Sequence, residues 1–362
     1  MRLFYFDYVH LMKKKIIIII LLINLIIGYF AFNLQPSKID YNVSEEKVEF
    51  LVPNNFPKPI YDFKGNLLTP TGFKLGRLLF YDRQLSMDQS ISCGSCHQSS
   101  SAFSNFNRPV SRGVKGCAGN RNTPGLFNLA WQRGYMWDGR VDQFDLSSHN
   151  AIINPCEMAN DLDHISARLQ GIKVYPVLFN KAFGDSTIKS KYILNALTQF
   201  MAMLVSANSK YDQYIRKEPG GNFNDEEHEG YILFKQKCKS CHQEPLFTDR
   251  TYRNNGLDIR SLDKGRDSLT QTARDVGKFR VPSLRNLEVT APYMHDGRFA
   301  TLNEVLAHYD HGVKPNPNLD PELKNNAKLG ISLSLKEQNK ILAFLKTLTD
   351  KKFINDIRFQ TP

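Results

Sequence analysis

Apolar residues return on helical spacing at four places along this chain. In EEHEGYILFKQK (226–237), Tyr231, Phe234 and, just beyond, Cys238 fall at i, i+3 and i+7 and share one helix face. GFKLGRLLFYD (72–82) carries the same signal earlier in the chain. Ile193, Leu197, Phe200, Met201 and Leu204 follow the 3.6-residue period from about Ser190. Ile341, Leu345 and Leu348 form a fourth stripe, opened by Ser334-x-x-Glu337, a capping box whose two side chains each take up a free backbone N–H. Strand signals are sparse. The Pro-Gly-Gly run inside RKEPGGNFND (216–225) can hold no regular element and marks a boundary. The pattern predicts a mainly α protein made of two helical units in tandem.

A long apolar run lies at the N-terminus. Three lysines follow Met12, and residues 16–32 are then apolar except for Asn24, the layout of a secretory signal. Export is the expectation. The run is slightly short of the ~20 residues a membrane helix prefers. It is followed by no clear small-x-small cleavage site, because Tyr29 stands two before Ala31. Residues 1–35 are therefore read as a signal peptide or a membrane anchor.

The 362 residues suffice for two ordinary domains, and Lys plus Arg exceed Asp plus Glu by 47 to 36, a formal +11. Such a surface suits an acidic redox partner or a membrane face. No basic cluster is interleaved with aromatics, so no nucleic-acid role is read.

Of six cysteines, four sit in two copies of one motif, ISCGSCH (91–97) and QKCKSCH (236–242). In Cys-x-x-Cys-His, two thiols can add to the vinyl groups of haem while the next imidazole ligates the iron. Zinc is the competing reading, since two Cys-x-x-Cys pairs could supply four sulfurs, but a zinc site does not require His after the second Cys. Thioredoxin-like chemistry needs one such pair in a βαβ setting, and neither motif follows a strand-like run. Two covalent haem c groups are expected, on Cys93, Cys96 and His97 and on Cys238, Cys241 and His242. Cys117 and Cys156 remain; they could pair in an oxidising compartment or stand as two buried thiols.

More than the motif is repeated. RNTPGLFNLAWQRGYMWDGR (121–140) lies after the first motif and RVPSLRNLEVTAPYMHDGR (280–298) after the second. Both carry an Arg shortly before a Pro, then Leu and Asn, then Tyr-Met-x-Asp-Gly-Arg. This is an internal duplication.

LGRLLFYDRQLS, ISCGSCH, RNTP, WDGR, Glu157-Met158 and VPSLRNLEVTAPYMHDGR, in this order over residues 70–350, resemble the bacterial dihaem cytochrome c peroxidase family, which includes MauG-like oxidases. The resemblance implies two cytochrome c-like haem domains in tandem, a peroxidatic one at 36–215 and an electron-transfer one at 224–350. It implies Glu157 as the proton-handling group at the first haem and Trp137 as a stepping stone between haems. It also implies a calcium ion on the Asn122 side chain and the Thr290 and Pro292 carbonyls. Several family members plug the first iron with a histidine from the loop before the RN(T/S)P motif. Residues 98–120 hold no histidine, so an open iron is expected, with Cys117 as a conceivable substitute ligand. Where classical members carry a Met to close the second iron, this chain has Tyr309, as MauG does; Met294, His308 and His311 are competing donors.

The expected function is reduction of hydrogen peroxide to water in the periplasm, with electrons from a small c-type cytochrome or similar donor; a homodimer is compatible with the family. The enzymatic rival is a MauG-like oxidase of a protein substrate. The non-enzymatic rival is a dihaem electron carrier, which would need both irons closed.

Overall fold

The computed structural model describes residues 48–324 and 328–362, so the apolar run at 16–32 and the signal or anchor read there lie outside the described residues. Among the described residues no helix is long and apolar enough to cross a membrane. The protein is mainly helical, and its one named sheet pairs only β1 (Tyr252–Arg253) with β2 (Phe279–Arg280), antiparallel.

Two helix pairs form the frame. α1 (Pro70–Tyr81) packs on α2 (Ser190–Ala202), and α3 (Asp225–Lys237) packs on α4 (Leu335–Lys346). Thr69 caps α1 through the Gly72 N–H, with Pro70 at the first helical position, where its missing N–H costs nothing. Asn224 with Glu227, and Ser334 with Glu337, build capping boxes on α3 and α4, as the sequence predicts for the latter.

Both crossings use the same device. A Cβ on Gly76 would overlap the Ala196 carbonyl oxygen, and one on Gly230 would overlap the Lys340 carbonyl oxygen. Glycine lets the two backbones meet at each crossing. One turn on, the Phe80 and Phe200 rings lie 5.0 Å apart, and Phe234 and Phe344 repeat that 5.0 Å separation. Each phenylalanine pair anchors its own core. The first also contains Leu79, Phe103, Ile193 and Leu197, and the second Tyr211, Phe247, Ile341 and Leu345.

The duplication extends into the loops. Asn128 and Asn286 both hold left-handed backbone, which Asn tolerates better than most residues. The Asn128 N–H donates to Leu204 O at 2.9 Å, and the Asn286 N–H to Leu348 O at 3.1 Å, so each ties its loop to the end of the closing helix.

Two features are absent from the sequence pattern. Asp212 and Arg285 form a completely buried ion pair, with Nη2 2.8 Å from Oδ1. Residues beyond 350 turn back onto the first core, where Phe353 and Phe359 are buried; Tyr81 Oη donates to Phe359 O at 2.6 Å and Arg77 Nε to Gln360 O at 2.7 Å.

Candidate functional site: two Cys-x-x-Cys-His loops and their clefts

Cys93–Cys96 is a single helical turn that presents both thiols and ends at His97. His97 Nδ1 lies 2.6 Å from Phe103 O, and His242 Nδ1 lies 3.1 Å from Phe247 O. Pro124 and Pro282 bring a further carbonyl to the same two rings. A ring N–H held by backbone oxygen fixes the tautomer whose other nitrogen carries a lone pair, the form an iron ligand needs. Burial reinforces this. It pushes the His97 imidazole down to about 4 and lowers that of His242, so both rings are neutral at neutral pH. Burial likewise pushes the Cys93 and Cys238 thiols up to about 12 and raises those of Cys96 and Cys241, so the four thiols are neutral at neutral pH.

Glu157 stands beside the first motif. Its charge raises the Cys93 and Cys96 thiols, an effect that needs proximity. Burial raises the Glu157 carboxyl, and the Asn154 amide and the Arg140 charge oppose that rise. Asn154 Nδ2 donates to Glu157 Oε1 at 2.8 Å, leaving Oε2 for another partner. The segment ahead of it is covalently tied, because Cys117 and Cys156 are joined by a disulfide with Cα atoms 5.1 Å apart. That decides the question left open by the sequence and removes Cys117 as a free thiolate ligand.

The second motif faces a cleft shared with Tyr309 and Met294. Tyr309 sits in a wide π turn, His308–Gly312, of the kind often found at functional positions. Burial pushes its phenol up to about 12, against a hydrogen bond from Asn255. Asn255 also donates to Met294 Sδ at 3.4 Å. The competing histidines are engaged elsewhere: His308 Nε2 lies 3.0 Å from Asn255 O, and His311 is exposed beside Asp310 at 3.1 Å.

Trp137, Asn122, Thr290 and Pro292 line this same cleft. Trp137 Nε1 donates to Asn122 O at 2.7 Å, and its carbonyl accepts from Arg280 N at 2.7 Å, so the buried indole is pinned to both repeats. Asn122 Nδ2 donates to Pro109 O at 3.0 Å, which leaves its Oδ1 as the cation-ready atom. Among the described residues no cluster of three acidic, Cys or His side chains could hold a metal, so a calcium ion here would depend on neutral oxygens.

Arg280 was not legible as a site residue. It is 7% exposed, burial lowers its guanidinium, and no carboxylate among the described residues pairs with it. A buried cation without a counter-charge is costly. Lining the cleft of the second motif, it fits an anionic haem propionate. Position in the repeat, at the start of RVPSLRN, was the available signal. Asn154 and Asn255, which orient Glu157 and Tyr309, carried none. The paired thiols, the neutral histidines with one nitrogen pinned and the unpaired arginine together fit haem.

The sequence profile of a family described as di-haem cytochrome c peroxidase matches residues 70–220. Methylamine utilization protein MauG of Methylorubrum extorquens is 34% identical over 307 residues, covering 83% of this chain and 84% of that one. Cytochrome c551 peroxidase of Nitrosomonas europaea is 33% identical over 281 residues, covering 76% and 79%. A solved MauG-like protein associated with microbial copper homeostasis superposes with a TM-score of 0.79 at 31% identity, covering 87% of this chain and 99% of that one. Two cytochrome c-like units in tandem, a covalent haem c for each Cys-x-x-Cys-His motif, and oxidoreductase activity follow together: the chain belongs to the di-haem cytochrome c peroxidase family.

Proposed function

We propose that this chain reduces hydrogen peroxide to water at the Cys93, Cys96 and His97 site, with electrons entering at the Cys238, Cys241 and His242 site from a small c-type cytochrome or a similar donor. The observation that carries the reading is the half-buried Glu157 carboxylate beside the first motif, with no histidine in the 98–120 loop to compete for the iron. Haem c bound at each motif supplies an iron that exchanges single electrons and, where its second face is open, takes up peroxide.

Glu157 accepts the proton of one peroxide oxygen and returns it to the other as the O–O bond breaks; two electrons and two protons in all give two waters. Its raised carboxyl suits that double duty, since an ordinary carboxylate is a weak base that takes up a proton poorly near neutral pH. Trp137, held from both repeats, would carry electrons between the two sites, and the Tyr309 phenol oxygen would be the residue group that holds the second haem's iron from its other side. Residues 36–215 and 224–350 form the peroxidatic and electron-transfer units. A calcium ion on Asn122, Thr290 and Pro292 would stiffen the loops between them. Export through residues 1–35 places the enzyme in the periplasm, where covalent haem attachment takes place in bacteria; anchoring and homodimer formation belong to the same reading.

Steady-state peroxide turnover with a reduced small c-type cytochrome tests this, with and without prior half-reduction of the enzyme. Turnover without a lag is expected. Protein carrying two haems by intact mass yet inert to peroxide in both forms would overturn it.

Tyr309 in the cleft favours a second reading, a MauG-like oxidase that takes electrons from a protein. It would consume peroxide with no reduced cytochrome present and leave an oxidised protein partner. The electron-carrier reading has no use for a half-buried carboxylate beside the first motif.

A further inference from the structure

The Cys117–Cys156 disulfide joins two segments that meet at Glu157. On one side, the Val114 N–H donates to the Glu157 carbonyl at 2.9 Å, and a Cβ on Gly113 would overlap the carbonyls of Cys156 and Glu157. The loop closes on itself through Gly113 N–H to Cys117 O at 2.8 Å. On the other side, Asn154 Oδ1 accepts from Cys156 N–H at 2.9 Å while its Nδ2 holds the Glu157 carboxylate.

Glu157 lies in neither a helix nor a strand. It falls between the helices Ser147–Ile153 and Leu162–Gln170, so no continuous ladder fixes its backbone. Two hydrogen bonds hold that backbone, Glu157 N–H to Asn154 O and Val114 N–H to Glu157 O, both at 2.9 Å, and each is a modest restraint. The sulfur bridge, one peptide bond from Glu157, is the strong one.

We propose that the Cys117–Cys156 disulfide is a positioning element for Glu157: it clamps the 113–117 loop onto the Asn154–Glu157 turn and so keeps the carboxylate at the first haem site. This rests on the reading of Glu157 as the proton-transfer group, and the experiment separates the two. Released from the turn, the loop would leave the half-buried carboxylate more open to water. The charged group that acts on that carboxylate is Arg140, and the Asn154 amide is its hydrogen-bond partner.

The test begins with denaturation and alkylation by iodoacetamide without reductant, then peptide mass. Cys117 and Cys156 should be unlabelled and linked; labelled thiols overturn the proposal. Haem-loaded wild type, the Cys117→Ala/Cys156→Ala double variant and Glu157→Gln are then compared by hydrogen exchange and by the pH profile of the peroxide reaction. In the double variant the Val114 amide should exchange at least ~10-fold faster, while the Cys93–His97 segment stays protected. The acid limb of the rate should move to lower pH as water reaches the carboxyl, and kcat should fall more than KM changes. Unchanged exchange at 113–117 overturns the clamp. Faster exchange with a wild-type profile, while Glu157→Gln is slow, overturns positioning but keeps the role of Glu157. A wild-type rate in Glu157→Gln overturns that role, whatever the exchange shows. Should the alanine pair fail to fold, the serine pair or dithiol-treated wild type gives the same comparison.

Discussion

Asn154 Nδ2 donates to Glu157 Oε1 across 2.8 Å, a hydrogen bond made to the ionised carboxylate. Burial raises the Glu157 carboxyl and this bond works against the rise. The acid limb of the peroxide reaction should therefore lie above the ordinary carboxylate range, with the rate lost as pH falls through the raised value. Asn154→Ala removes an interaction that favours the charged form, so its acid limb should move to still higher pH. Glu157→Gln keeps shape and loses the base, and should slow the reaction by ~10²-fold or more. Stopped-flow rates from pH 4 to 9 check both variants; an unshifted limb in Asn154→Ala would mean that another group sets it.

The glycines at the two helix crossings give a second prediction. Alanine has the better helix propensity by ~1 kcal/mol, but at Gly76 or Gly230 its Cβ meets a backbone carbonyl of the facing helix, which cannot rotate aside. Overpacking of this kind costs ~1–3 kcal/mol. Gly76→Ala and Gly230→Ala should each lower stability in denaturant titration. Gly65→Ala, where nothing lies within 4 Å of the added Cβ, should change it by less than ~0.5 kcal/mol.

The frame and the haem motifs were legible because each rests on local pattern. Tyr231 and Phe234 announce α3 by spacing, Ser334 and Glu337 announce the start of α4, and Cys93, Cys96 and His97 are contiguous. The partners of those residues were not legible, because they arrive from elsewhere in the chain. The Phe103 carbonyl under His97 is a backbone atom with no sequence signature. Asn255 reaches Tyr309 and Met294 across more than 35 positions. Phe353 and Phe359 look like a polar tail's stray aromatics until the tail folds back on Phe200 and Phe103. His308 Nε2 lies against Asn255 O, a contact the pattern could not place.

Asp212 and Arg285 supply a third prediction. Burial alone would raise the Asp212 carboxyl, but Arg285 and the Ser209 and Asn55 side chains hold it below the usual carboxylate range. Both side chains are fully buried, so Asp212→Asn leaves a guanidinium without its charge partner and should cost roughly 3–5 kcal/mol. The depressed carboxyl contributes stability that is present above its unfolded value and is lost as pH falls through the lower folded one. Urea titrations at pH 7 and pH 3 check this: the difference between wild type and Asp212→Asn should shrink at the lower pH.

The fourth prediction concerns Tyr309, which shares the second cleft with Met294 while His308 and His311 are held elsewhere. If the phenolate closes the second iron, that haem should be low-spin and of low potential, because an anionic oxygen favours the ferric state. Its phenol is pushed up to about 12, chiefly by burial, so ionisation requires the iron's own charge, as for other metal-bound acids. Tyr309→Phe removes the oxygen and keeps the ring. The second ferric signal should turn high-spin and the first, in the other repeat, should stay as it was. Tyr309→Met should raise the potential, since thioether sulfur favours ferrous iron. Electron paramagnetic resonance paired with redox titration of the three proteins decides the matter. A low-spin second haem of unchanged potential in Tyr309→Phe would transfer the ligand role to a competing donor, Met294 in the same cleft first among them, and Met294→Leu would then be the variant to test.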